Sequence, residues 1–123
     1  MDDPFHLQRF VDAQSLVYET VLGELRAGRK TTHWIWFIFP QAKGLGRSAM
    51  SERYAISSLD EARAYLAHPV LGPRLKECVE LVLSHEGVPL EDILGELDAM
   101  KFRSSMELFR EAGATFTPLG DAR

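Results

Sequence analysis

Helix-stopping residues recur along this chain at intervals too short for any long helix, and only one stretch has the unbroken apolar character of a buried strand. Gly28, Pro40, the His68-Pro69 and Gly72-Pro73 pairs, Gly87, Pro89, Gly95 and Gly113 divide the chain into short segments with helical apolar spacing. The clearest runs from Asp12, a candidate N-cap, to Gly28, a candidate C-cap, with Leu16, Val17, Val21, Leu22 and Leu25 on one stripe and Glu24 on the outer face. Upstream, Phe5, Leu7, Phe10 and Val11 predict a short helical turn folded back on the same core. A further helix is expected over Ala49 to Ile56. Ser58 and Glu61 then read as a capping box opening a helix that ends at the His68-Pro69 break. The next starts near Pro73, carries Leu75, Val79, Val82 and Leu83, and closes at Gly87. Pro89 to Leu94 forms another, stopped by Gly95. The last begins after Asp98 with Phe102, Met106 and Phe109 on one face and ends at Gly113. Residues 114–123 show no period and are expected to fray.

The exception is Trp34 to Phe39. Six apolar residues without a period fit a buried strand or a buried helical turn equally, and Pro40 ends either. With 123 residues, 46% of them hydrophobic, the chain can fill one core without a metal or disulfide staple. The fold expected is mainly α: a single compact domain, 1–123, of several short helices around one core, with little or no sheet.

Charge and cysteine usage narrow the function. Eighteen acidic residues against 14 basic ones give a net charge of -4, which argues against a nucleic-acid binder. The N-terminus has no basic segment followed by an apolar run, and no stretch nears the ~18 apolar residues of a membrane span, so no membrane association and a cytoplasmic location are expected. Cys78 is the only cysteine, so no disulfide forms within the chain. Set among Leu75, Val79 and Val82, it reads as a buried thiol suited to a reducing compartment. The four histidines, His6, His33, His68 and His85, lack metal-ligand spacing, and neither a metal nor a cofactor is expected. Asp60, Glu61, Glu77 and Glu80 read as a solvated acidic face.

The candidate site is Thr32 to Ser48, THWIWFIFPQAKGLGRS. Trp34, Trp36, Phe37 and Phe39 offer an apolar wall, and the Gly44-Leu45-Gly46-Arg47-Ser48 turn offers backbone N–H groups and a guanidinium, a combination that suits a small anionic ligand. That turn lacks the third glycine of a dinucleotide fingerprint and the Lys-Ser/Thr ending of a phosphate loop. In the anion reading Arg47 adds a bidentate donor and Ser48 caps the next helix; the plain alternative is chain reversal, with Arg47 paired to a carboxylate such as Glu52. Gln41 is the polar residue least explained by packing. Tyr54, Lys101 and Ser105 complete the candidate ligand contacts, Lys101 and Ser105 sharing a helix face, although Ser104 and Ser105 also suit close helix packing. Trp34 and Trp36 could stack on a ring or fill the core. His33 and Glu52 are the candidate proton carriers should there be chemistry, and His33 could equally be satisfied by backbone.

The strings RFVDAQ (Arg9 to Gln14), HWIWFIFPQ (His33 to Gln41), GLGRS (Gly44 to Ser48), RYAISSLDEARAYLAHPVLGPRL (Arg53 to Leu75) and KFRSSMELF (Lys101 to Phe109) resemble the domain-of-unknown-function family 1810, some of whose members bear a calpastatin label. The resemblance implies a mainly α-helical single domain, which tips Trp34 to Phe39 toward helix or irregular buried backbone, and it carries no activity with it. Related chains run on past the final Phe-rich region into another helix with a Gly, Asp and Thr signature, where this one ends in Gly120-Asp121-Ala122-Arg123. The apolar edge so exposed, near Phe116 to Leu119, would favour a homodimer or another partner. A looser likeness to YbiA-like N-glycosidases, in an aromatic-rich early segment and a late Lys-Phe helix, transfers no catalytic residue. The function expected is binding of an anionic, nucleotide-like or phosphorylated small molecule in an aromatic-lined pocket. The alternatives are a non-enzymatic interaction module and an N-glycosidase-like hydrolase acting on a ribosylated substrate.

Overall fold

The computed structural model describes residues 2–116, in which eight helices follow one another: α1 Gln8–Ser15, α2 Tyr18–Ala27, α3 Ile35–Ile38, α4 Ala49–Arg53, α5 Leu59–Ala67, α6 Leu71–Leu83, α7 Leu90–Leu94 and α8 Glu96–Glu111. Among the described residues the only β pairing is a parallel bridge between Ala42 and Ile56, and no helix is long and apolar enough to cross a membrane. The mainly α reading therefore holds. Thr117 to Arg123 fall outside the described residues, and with them most of the expected fraying tail and of the Phe116 to Leu119 edge. Ala114 still bonds back to the Phe109 carbonyl at 2.9 Å, and Phe116 packs half-buried on the core.

The single helix expected from Asp12 to Gly28 is instead two. The chain breaks at Leu16-Val17, where Val17 leaves helical geometry with φ -131° and Leu16 stands 87% exposed. Neither residue is a helix breaker, and the cause is tertiary: α1 packs on α3 whereas α2 packs on α6, directions one straight rod cannot follow. Asp12 is not the cap. Asp3 caps α1, its carboxylate accepting the N–H groups of Leu7 at 2.7 Å and Gln8 at 3.0 Å, bonds that hold its carboxyl below the usual range. The same turn keeps His6 at φ 53°, a left-handed geometry uncommon outside glycine. Gly28 does close α2, at φ 75°.

Glu24, read as an outer-face residue, pins the loop that follows. Its carboxylate accepts from the N–H groups of Thr31 (2.8 Å) and Thr32 (3.1 Å), the Thr32 hydroxyl (2.6 Å) and the Trp34 indole (3.0 Å). Burial alone would raise its pKa, but these four donors outweigh it and hold the carboxyl down to about 2. A folded pKa below the unfolded one stabilises above the unfolded value and is lost on acidification. Glu24→Gln is therefore expected to cost about 2 kcal/mol at neutral pH, allowing for partial exposure, and progressively less as pH falls from about 4.5 toward 2. Urea unfolding of both proteins across that range measures the gap, and a gap independent of pH would refute this role.

Trp34 to Phe39 resolves into the single turn α3 with buried flanks. Ser48 caps α4, accepting from Ser51 N–H at 3.1 Å, as its place in the sequence suggests. Ser58 caps α5 by accepting the Glu61 N–H, but Glu61 does not return the bond to Ser58. Its carboxylate accepts instead from the Ser57 N–H and hydroxyl and from Arg9, so Glu61 is buried and leaves the solvated face assigned to it. Glu80 pairs with Lys76 at 3.1 Å. Helix α6 opens at Leu71, ahead of Pro73, because His68 Nδ1 accepts the N–H groups of Val70 and Leu71 and does the capping. It ends at Leu83, before Gly87, and α8 starts directly after Gly95, earlier than Asp98.

The core is tied together by aromatic pairs. Phe10 meets Tyr65 edge-on at 5.1 Å, Tyr65 meets Phe109 at 5.1 Å, and Phe39 meets Phe102 at 4.8 Å, so α8 spans both ends of the cluster. The half of this cluster nearest α3, built on Phe37, Phe39 and Tyr54, backs the recess described next.

Candidate functional site

Two polar residues of the first helix hold the walls of a recess to which neither belongs. Gln14, fully buried, donates to the Phe37 carbonyl at 2.7 Å and so fixes α3, which carries Trp36. Arg9 donates to the carbonyls of Arg53 at 2.9 Å and Ala55 at 3.0 Å, gripping the backbone on both sides of Tyr54. The Ala42–Ile56 bridge lays the strip after Pro40 alongside, through Ile56 N–H to the Gln41 carbonyl and Lys43 N–H to the Ile56 carbonyl, each 2.9 Å. From the opposite side α8 projects Lys101, whose ammonium stands 5.8 Å from the centroid of the Trp36 ring.

Between them lies a recess with Ile35, Phe39 and Ala42 as its apolar part and Trp36, Gln41, Ser51, Tyr54 and Lys101 as its polar part. Gly46 completes the rim. A Cβ there would overlap the Ser51 side chain, so glycine lets the turn lie against α4. The cavity volume is about 10 Å³, room for roughly one water-sized group. That is far below the ~300–1,000 Å³ of sites enclosing a drug-sized molecule, so the recess seats one small group and any larger occupant sits at its mouth. Among the described residues Lys101 is the only charged one lining it, and the indole N–H, Gln41 amide and two hydroxyls make the lining rich in donors.

What distinguishes four of these side chains is that their polar groups are not spent on holding the described fold, although the Tyr54 ring packs on Phe10 and Phe37. Arg9 spends its donors on four carbonyls and Glu61, Gln14 bonds Phe37 and Tyr65, Glu24 holds the loop, and Lys30 pairs with Asp98 at 2.8 Å. Among the described residues the side chains of Trp36, Gln41, Tyr54 and Lys101 have no such hydrogen-bond or ion-pair partner.

Trp36, Gln41, Gly46, Tyr54 and Lys101, each a candidate from the sequence, thus meet in one place. The others do not join them. Trp34 is core, its indole N–H spent on Glu24 and its ring under the Lys30 ammonium at 5.0 Å. Ser105 is fully buried in α8, between the residues that pair with Phe39 and Tyr65, and its hydroxyl has no partner among the described residues. This is the position of a small residue admitting close helix packing. Arg47 and Ser48 are exposed and outside the recess, Ser48 being the cap of α4 and Arg47 forming no ion pair with Glu52 among the described residues. The expected cradle of turn amides does not form as read: Gly44 takes φ 94° and faces a second hollow with Lys43, Glu52 and Ala55. His33 is exposed and lines neither space, so the two candidate proton carriers stay out of the recess. Ser51 was missed, although its place three residues after the capping Ser48 was visible. Among the described residues no three His, Cys, Asp or Glu side chains gather as metal ligands.

The fold recurs in a solved structure. The crystal structure of the conserved hypothetical protein Rv1873 from Mycobacterium tuberculosis is similar with a TM-score of 0.88 and 57% identity, over 89% of this chain and 79% of that one. Among proteins with curated descriptions none matches. The family model described as a protein of unknown function, DUF1810, matches residues 4–119, which takes in both the scaffold residues and the recess. The chain belongs to the DUF1810 family.

Proposed function

We propose that this protein binds a small phosphorylated or nucleotide-like anion, its anionic group seated between Lys101, Gln41, Tyr54 and the indole N–H of Trp36. The observation that carries the reading is the convergence of these donors and of the Lys101 ammonium, none with a hydrogen-bond or ion-pair partner among the described residues, on one small recess. A folded chain gains little from holding four polar side chains together without partners, whereas an oxyanion supplies acceptors for all of them. Lys101 supplies the charge, Gln41 and Tyr54 orient the oxygens, and Trp36 with Phe39 forms an apolar flank. The role proposed is binding, because neither His33 nor Glu52 lines the recess. The lone buried thiol of Cys78 suits a reducing cytoplasm, the location proposed here.

The chain has two tryptophans, and among the described residues only Trp34 has its indole N–H bonded, to Glu24. Titration with inorganic phosphate, followed by the two indole N–H resonances, is expected to move the Trp36 signal and leave that of Trp34 in place. Lys101→Met is expected to weaken phosphate ten- to a hundredfold, as loss of a charge-assisted bond of roughly 1.5–3 kcal/mol requires, without altering the fold. A static Trp36 signal, or equal affinity in the variant, would refute the reading.

A further inference from the structure

We infer that the anion recess is half of a two-part site, that the hollow lined by Lys43, Gly44, Glu52 and Ala55 is the other half, and that the ligand is a phosphorylated polyol. This rests on the anion reading above. Gly46 lines both spaces, so they adjoin across the Gly44–Gly46 turn. The first has room for about one water-sized group, such as one phosphate oxygen, so the rest of any phosphate ester must lie outside its mouth. The second is larger, with about 520 Å³ between its walls including its opening. The turn between them carries no side chain at positions 44 and 46; at Gly46 the Ser51 side chain fills the place of a Cβ, but nothing lies within 4 Å of where one on Gly44 would stand. A ligand can therefore cross the backbone on the Gly44 side without displacing protein.

The chemistry of the two halves differs in a way that selects the ligand. The recess is donor-rich and, among the described residues, holds no carboxylate. The hollow sets Glu52 and Lys43 in one space, and no ion pair joins them among the described residues. Vicinal hydroxyls match that pair, donating to the Glu52 carboxylate while their oxygens accept from the Lys43 ammonium. A bare phosphate satisfies only the first half, and a neutral sugar only the second.

The test compares two phosphate monoesters of equal charge, methyl phosphate and glucose 6-phosphate, by calorimetry. In the unaltered protein glucose 6-phosphate is expected to bind at least tenfold more tightly. Glu52→Ala and Lys43→Ala, both at exposed positions, are each expected to cut that ratio at least threefold, and the ratio cancels any general change in the field. A ratio near one, or a ratio unmoved in both variants, with methyl phosphate still bound, would overturn the two-part site and leave the anion recess standing. If methyl phosphate does not bind, the recess reading falls and this one with it.

Discussion

Arg9→Met is expected to remove about 3–5 kcal/mol of stability, read from the urea unfolding midpoint at neutral pH. The guanidinium donates to the Phe5, His6, Arg53 and Ala55 carbonyls at 2.7–3.0 Å and to the Glu61 carboxylate at 3.0 Å, which joins the N-terminal turn, the strip around Tyr54 and α5 at one point. The Glu61 side chain is only 3% exposed. Methionine keeps the length and apolar stem but strands a buried carboxylate, and that desolvation penalty dominates the loss. Adding Glu61→Gln should recover part of it, since a neutral amide is far cheaper to bury and can still serve Ser57. A single variant as stable as the parent would show that the clamp is incidental. Because Arg9 brackets Tyr54, surviving Arg9→Met protein is also expected to bind phosphate more weakly, although Arg9 lies outside the recess.

Gly72→Ala should destabilise by about 3 kcal/mol, whereas Gly23→Ala should stabilise by roughly 0.5–1 kcal/mol. Both glycines are helical, and on propensity alone both changes would help. Space decides the sign. A Cβ on Gly23 in α2 meets nothing within 4 Å, but a Cβ on Gly72 in α6 runs into the Leu66 carbonyl oxygen of α5. That neighbour is backbone and cannot rotate aside, so the α5–α6 contact must open. Thermal unfolding of the two variants side by side tests the argument, and matching shifts would defeat it.

These two sites also mark how far the sequence could be read. Local signals were legible: the Gly28 stop, the Ser48 and Ser58 caps, the Gly95 boundary and the burial of Cys78 each depend on residues within a turn or so. Long-range partners were not. Arg9 and Glu61 are 52 positions apart, and Gln14 and Tyr65 are 51 apart, so Glu61 reads as one more solvated acid and nothing in the sequence marks Gln14 for burial. The break at Leu16-Val17 carries no glycine or proline, because packing on α3 and α6 sets it. In the recess, Trp36 and Lys101 could be nominated by type, yet only the fold separates Trp36 from Trp34, by giving one indole N–H to Glu24 and leaving the other without a partner among the described residues.

The enclosure of Cys78 gives the chain its own opening gauge. The thiol is the only one present, it has no exposed surface, and burial pushes its pKa up to about 12 despite the hydroxyl of Tyr18 at 3.8 Å. Alkylation needs a thiolate in contact with water, so at neutral pH it proceeds through molecules whose α6 has come away from its neighbours. Where reclosing outruns the reagent, the labelling rate divided by that of a free thiol is the opened fraction itself. The native protein can thus be ranked against any of its variants in plain buffer, with no dye, no denaturant and no extrapolation.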